Sequence, residues 1–123
     1  MYGVDPLSTN TAENRFVRYP FGAADVQNIA AAAVMAATIK NSQTQLNIGE
    51  LGAAGTLNLT LHPELSVGDE LVIKVSADGT NRVLTLGTGI TGNAITVTAD
   101  KTFIITAKFD GTAFIVVSSL VTN

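Results

Sequence analysis

From Thr38 onward, apolar residues recur at every second position: Leu46/Ile48, Leu57/Leu59/Leu61, Leu71/Ile73/Val75, Leu84/Leu86, Ile95/Val97, Phe103/Ile105/Phe109 and Phe114/Val116. Polar residues fill many of the positions between them, among them Asn47, Asn58, Thr60, Lys74, Thr85, Thr96, Thr102 and Thr106. A strand with one face on a core and the other in water has this pattern. Turn formers separate the runs at Asn41-Ser42, Gly52 to Gly55, Pro63, Gly68-Asp69, Asp78-Gly79, Gly87 to Gly92 and Asp110-Gly111. The two Asp-Gly pairs suit tight hairpins, because glycine tolerates the positive φ such turns require. The pattern predicts a mainly β protein, with a single antiparallel β-sandwich or small barrel of seven or eight short strands over residues 38–123. Two of these strands are apolar on both faces: Val72 adds to one, and Ala113, Ile115, Val117 and Val121 add to the last. Each is expected either at the centre of the sandwich under the Ala-rich segment, or at a subunit interface.

Two stretches precede this domain. Residues 1–22 hold the turn formers Ser8 to Thr11, two prolines and the cluster Arg15-Phe16-Val17-Arg18-Tyr19-Pro20-Phe21. Pro20 restricts Tyr19 to extended conformations, so residues 1–22 read as an extended N-terminal arm that either packs on its own core or docks on another chain. Residues 23–37 are Ala-rich and are expected to be helical over about 24–33. Asp25 would open the helix, and Val26, Ile29, Ala30, Ala33 and Ala37 would fall on one narrow face. Val34, Thr38 and Ile39 are β-branched, so the chain is expected to be extended by Ala36.

Composition narrows the function classes. Hydrophobic residues make up 46% of the chain and charged residues 14%, against roughly 25% charged in ordinary soluble domains. Thr, Asn, Ser and Gly take the place of charge, which leaves neutral surface open to association. The net charge is −3 and the seven basic residues are scattered. No cluster would displace several counterions together, so no nucleic-acid partner is expected. Cysteine is absent, which excludes disulfides and thiolate metal sites. The first residues lack a basic-then-apolar signal pattern, and Ile29 to Ala37 is far short of the ~20 residues that span a bilayer. The protein is expected to be soluble, made without a signal peptide and without a membrane partner.

Candidate chemistry dissolves under inspection. Gly87-Thr88-Gly89-Ile90-Thr91-Gly92 has the spacing of a dinucleotide-binding loop. A strand pattern follows it, where the phosphates would need a helix N-terminus. No cofactor is expected, and the stretch reads as a flexible inter-strand loop. His62 is the only histidine and sits before Pro63, which suits a turn residue. Asp69-Glu70, adjacent on a strand start, point to opposite faces and cannot act as an acid/base couple. Asp78 and Asp110 lack the Asp-x-Asp spacing of a calcium loop. Asn58-Leu59-Thr60 fits a glycosylation acceptor by chance within a strand. No catalytic, cofactor-binding or metal-ligating residue is assigned, and the chain is not expected to be an enzyme.

One resemblance points further. The phrases Thr56-Leu57-Asn58-Leu59-Thr60-Leu61, Leu65-Ser66-Val67-Gly68-Asp69-Glu70-Leu71, Lys101-Thr102-Phe103 and Phe109-Asp110-Gly111-Thr112-Ala113-Phe114 resemble small β-rich virion proteins of tailed bacteriophages. These are capsid decoration and head-fibre proteins, or the small domains of tail fibres. The resemblance covers about residues 36–120. It implies a structural virion protein on the capsid surface, a homotrimer attached to the major capsid protein or another virion protein through a divergent N-terminal arm. Residues 1–22 then become the candidate anchor. The composition of the arm makes Phe16, Tyr19 and Phe21 the apolar plugs and has Arg15 and Arg18 contact acidic or carbonyl groups. The alternative is a receptor- or glycan-binding domain of a tail fibre or baseplate.

Overall fold

A computed structural model describes residues 24–122. The arm and the candidate anchor Arg15, Phe16, Arg18, Tyr19 and Phe21 lie outside the described residues. Within them ten strands follow one another: β1 (Asp25–Ile29), β2 (Val34–Ile39), β3 (Gln43–Ile48), β4 (Gly55–Leu61), β5 (Glu70–Ser76), β6 (Arg82–Leu86), β7 (Ile90–Thr91), β8 (Ile95–Val97), β9 (Thr102–Phe109) and β10 (Phe114–Thr122). They form a six-stranded sheet in the order β1-β3-β5-β9-β10-β7 and a four-stranded sheet in the order β2-β4-β6-β8.

The chain is mainly β, as expected, but the strand directions differ from the expectation. From β1 to β6 each strand lies in the opposite sheet from the one before it, so the chain coils. Neighbours within each sheet are therefore parallel: β1 with β3, β3 with β5, β2 with β4 and β4 with β6. Antiparallel pairing is confined to β5 with β9, β9 with β10 and β6 with β8. Period-two alternation records which side chains face the core and is blind to strand direction. From Thr38 onward every turn signal falls at a strand boundary or between strands, except Gly87 to Gly92, which holds the short β7. Most of those turns carry the chain across to the other sheet. Asp110-Gly111 does close a hairpin, between β9 and β10, whereas Asp78-Gly79 leads from β5 to β6 in the other sheet.

The helix expected over 24–33, within the Ala-rich 23–37, is replaced by β1, a linker and β2, and no helix occurs among the described residues. A short run of good helix formers is marginal on its own. Here it competes with strand pairing that stacks like on like, Asn28 beside Asn47 and Ile29 beside Ile48. On β2, Met35, Ala37 and Ile39 are buried while Val34, Ala36 and Thr38 are exposed, so the strand period was present beneath the alanines. The two strands from this segment and the short β7 raise the count from the expected seven or eight to ten. The described residues hold no helix long and apolar enough to cross a membrane.

The core lies between the sheets. Leu46, Leu71, Ile73, Ile105 and Phe114 of the larger sheet and Met35, Ile39, Leu57 and Leu84 of the smaller are almost wholly buried. At the first rung of the coil the inward positions turn polar. The Gln27 side-chain amide donates to the Thr38 carbonyl (2.8 Å) and to the Asp25 carboxylate (3.1 Å), which closes the end of the core. Thr44, one rung further in, is 2% exposed and its hydroxyl has no hydrogen-bond partner. An unpartnered buried hydroxyl costs about 1–3 kcal/mol. Thr44→Val keeps the branched shape and removes that cost, so it should stabilise the domain by about 1 kcal/mol in urea denaturation. A loss of stability would contradict the assignment.

Candidate interaction surface

The polar residues singled out in the sequence hold turns. The His62 ring Nδ1 accepts from the Glu64 amide (3.1 Å). Asp69 accepts from the Ser66 amide (2.8 Å), while Glu70 lies 3.5 Å from Lys108 on the neighbouring β9. Asp78 takes a two-point contact from Arg82 (3.0 and 2.9 Å) and the Thr80 amide, and the Arg82 hydrogen bond holds its carboxyl below the usual range. Asn58 Oδ1 accepts from the Thr88 amide (2.9 Å), a tie between β4 and the Gly-rich loop. The described residues contain no cluster of acidic, histidine or cysteine side chains able to hold a metal ion.

Asp110 shows how closely such a turn can be tied. Its carboxylate accepts from the Thr112 amide (2.8 Å) and the Ala113 amide (2.9 Å) inside the β9–β10 hairpin. These bonds, that from Ala113 foremost, hold its pKa below the ordinary value. The ionised form is thus favoured by folding. Its stabilisation is complete above the ordinary carboxylate range and is lost as pH falls through the lowered folded value. Asp110→Ala should therefore weaken the dependence of the thermal midpoint on pH between about pH 6 and about pH 2. Parallel curves for the two proteins would contradict this.

The Gly-rich loop is bound rather than loose. Leu59 N donates to Thr88 O (2.7 Å), Gly87 N to Leu57 O (2.8 Å) and Phe114 N to Gly89 O (3.0 Å). The loop thereby stitches the middle of β4 to the start of β10, and β7 lies within it. Backbone approach this close requires small residues, which accounts for the glycines without a phosphate ligand.

What remains unexplained by folding is the far half of β10. β7 pairs only with Phe114 and Ile115. Beyond them the side of β10 away from β9 has no strand on it among the described residues. Here Val117, Leu120 and Val121 are 57%, 62% and 50% exposed. The register slips between Val116 and Ser118, so Val117 is an extra residue and the side-chain phase changes there. After the slip Leu120 lies opposite Ile104, whose side chain points away from the core, and Val121 lies opposite the buried Phe103. Ile115 and Val121, which alternation puts on one face, are on opposite faces. The same slip hid Leu120 in the sequence, where alternation assigns the second apolar face to odd-numbered positions.

Of the other edge strands, β1 turns Asp25 and Gln27 inward, β8 is only three residues long and β7 two, while the uncharged six-residue β2 has its Thr38 carbonyl taken by the Gln27 amide. Inward charge and short length are two of the devices that prevent strands from pairing with other chains. β10 runs nine residues, Phe114–Thr122, with no charge and no proline. A shallow groove of about 400 Å³ beside the first rung, lined by Asp25, Gln27, Ala36, Thr38, Lys40 and Thr60 among others, is a further concave feature of the described residues. Its polar floor is the Gln27 and Asp25 closure already accounted for.

The chain matches none of the protein-family models and none of the curated proteins with which it was compared.

Proposed function

We propose that this protein is a non-enzymatic assembly module, a structural virion protein of a tailed bacteriophage of the capsid decoration or head-fibre kind. The observation that carries the assembly part is the uncharged, unguarded half of β10 with Val117, Leu120 and Val121 in water. Isolated exposed apolar residues are ordinary, but a cluster on an open strand edge is a place for another chain. The virion part rests on the resemblance of residues 36–120, and attachment falls to residues 1–22 with Arg15, Phe16, Arg18, Tyr19 and Phe21. The mechanism is burial and avidity: several linked copies, each docking weakly, hold a shell far more tightly than one copy. A glycan-binding role ranks behind it, because the described aromatic rings Phe103, Phe109 and Phe114 are all buried and cannot stack on a sugar.

Deleting residues 1–22 should leave a folded β domain that no longer sediments with capsids. Retention of capsid binding by the truncated chain would remove the anchor assignment. Failure of the full-length chain to bind capsids would remove the virion reading.

A further inference from the structure

The coil of the first six strands has an open end, and its construction restricts what fits there. From β1 to β6 each strand lies in the opposite sheet from its predecessor and runs parallel to the strand two before it. A strand immediately ahead of β1 therefore belongs to the smaller sheet, parallel to β2 on the side away from β4. No strand lies there among the described residues. The Ala33 and Ile39 carbonyls accept from the Thr56 and His62 amides (both 2.9 Å), so odd-numbered residues here turn their backbone groups to β4. The even-numbered residues turn theirs to the open side. Of these groups the Thr38 carbonyl is taken by the Gln27 amide. The Ala36 amide and carbonyl and the Thr38 amide are left without a strand partner among the described residues. The groove of about 400 Å³ lies at this edge, between Ala36 and Thr38 of β2 and Asp25 and Gln27 of β1.

From this we infer that residues 15–19 of this chain, Arg15-Phe16-Val17-Arg18-Tyr19, occupy the open side of β2 as an added parallel strand of the smaller sheet. The segment lies where the coil requires it. Residues 20–24 separate it from β1, and the links between β1 and β6 run from the short 40–42 to the long 62–69. It has no glycine or proline, its Phe, Val and Tyr suit a strand, and Pro20 holds Tyr19 extended. Its two arginines complement Asp25, the acidic residue lining the groove, whose carboxylate meets only the Gln27 amide among the described residues. Lys40, the groove's own cation, lies beyond the end of β2. So short a link also gives the segment an effective concentration on the order of millimolar at β2, which a separate chain would have to match. Alternate side chains of a seated strand point outward, so the arm keeps contacts for a shell while held at a fixed place on its own domain. The inference stands on the coil and is independent of the virion reading.

Amide hydrogen exchange of the full chain, followed residue by residue by NMR, tests it. The Gly49 amide donates to the Ile29 carbonyl (2.9 Å), so Val26 and Asn28 present their amides to the open side of β1, where the coil places nothing. Ala36 and Thr38 should be protected at least tenfold more strongly than Val26 and Asn28. Val17→Pro and Arg18→Pro remove adjacent amides that point to opposite sides of a strand, so one of the two faces β2. At least one of these variants should bring Ala36 and Thr38 to the level of the β1 edge, while the core amides of Leu57 and Ile73 keep their protection. Equal exchange at the two edges, or protection of β2 that survives both prolines, would overturn the inference. Protection that disappears on dilution would place a second copy on β2 and would overturn it as well. Capsid co-sedimentation of the full chain is read separately. Protection without capsid binding refutes the virion reading alone, and capsid binding without protection refutes this inference alone.

Discussion

Truncating Phe114 to alanine should cost about 3–5 kcal/mol, the usual loss for an aromatic removed from a packed core. Phe114 is fully buried, and its ring sits 5.4 Å from that of Phe109 across the hairpin. It is also where three parts of the fold meet. Its amide donates to Gly89 of the Gly-rich loop, its backbone pairs with Ile90 of β7, and its strand pairs with β9. A domain of this size has about 5–15 kcal/mol in total, so the variant should be close to unfolding at ambient temperature. Urea denaturation should show a sharply lower midpoint with little change in slope. A loss under about 1 kcal/mol would mean that the two sheets are not joined here.

Gly89→Ala should be the other severe substitution. Gly89 has φ of +80°, and a Cβ at this position would lie 2.7 Å from the Leu59 carbonyl oxygen. The left-handed conformation alone costs a non-glycine residue roughly 1–2 kcal/mol. Crowding in a packed site adds roughly 1–3 kcal/mol. The obstacle is backbone, and β4 cannot withdraw without breaking the Leu59 to Thr88 hydrogen bond. Gly68 provides the control, with φ of +96° and nothing within 4 Å of the place a Cβ would occupy. Gly68→Ala should cost the conformational part only. Equal losses at both positions, read from thermal midpoints, would contradict the packing of the loop on β4.

These two sites show what the sequence could and could not convey. The alternation that buries Leu57, Leu71, Ile73 and Ile105 was legible because side chains in a strand point alternately to either face. The turn positions were legible because Gly, Pro, Asn and Asp each favour turns for local reasons. The coil was not, since direction and pairing are set by partners distant in the chain. A signal for it does exist in the like-with-like stacking of Asn28 on Asn47, Thr38 on Thr60 and Thr56 on Thr85. Unequal linkers between the rungs give these pairs no constant spacing, so no repeat is visible. The alanines of 30–33 favoured a helix locally, and pairing of β1 with β3 outweighed that preference. The interaction surface was half legible. The apolar second face of β10 was visible, but the slip at Val117 changed which residues share it, and only the structure brings Leu120 into view.

On this reading the protein is a scaffold held in place on a shell through weak, repeated contacts. Electron cryomicroscopy of phage particles with and without the protein tests that most directly. The expected result is added density at regular positions on the capsid surface, present only when the protein is. Density confined to the tail, or particles identical in both preparations, would contradict it.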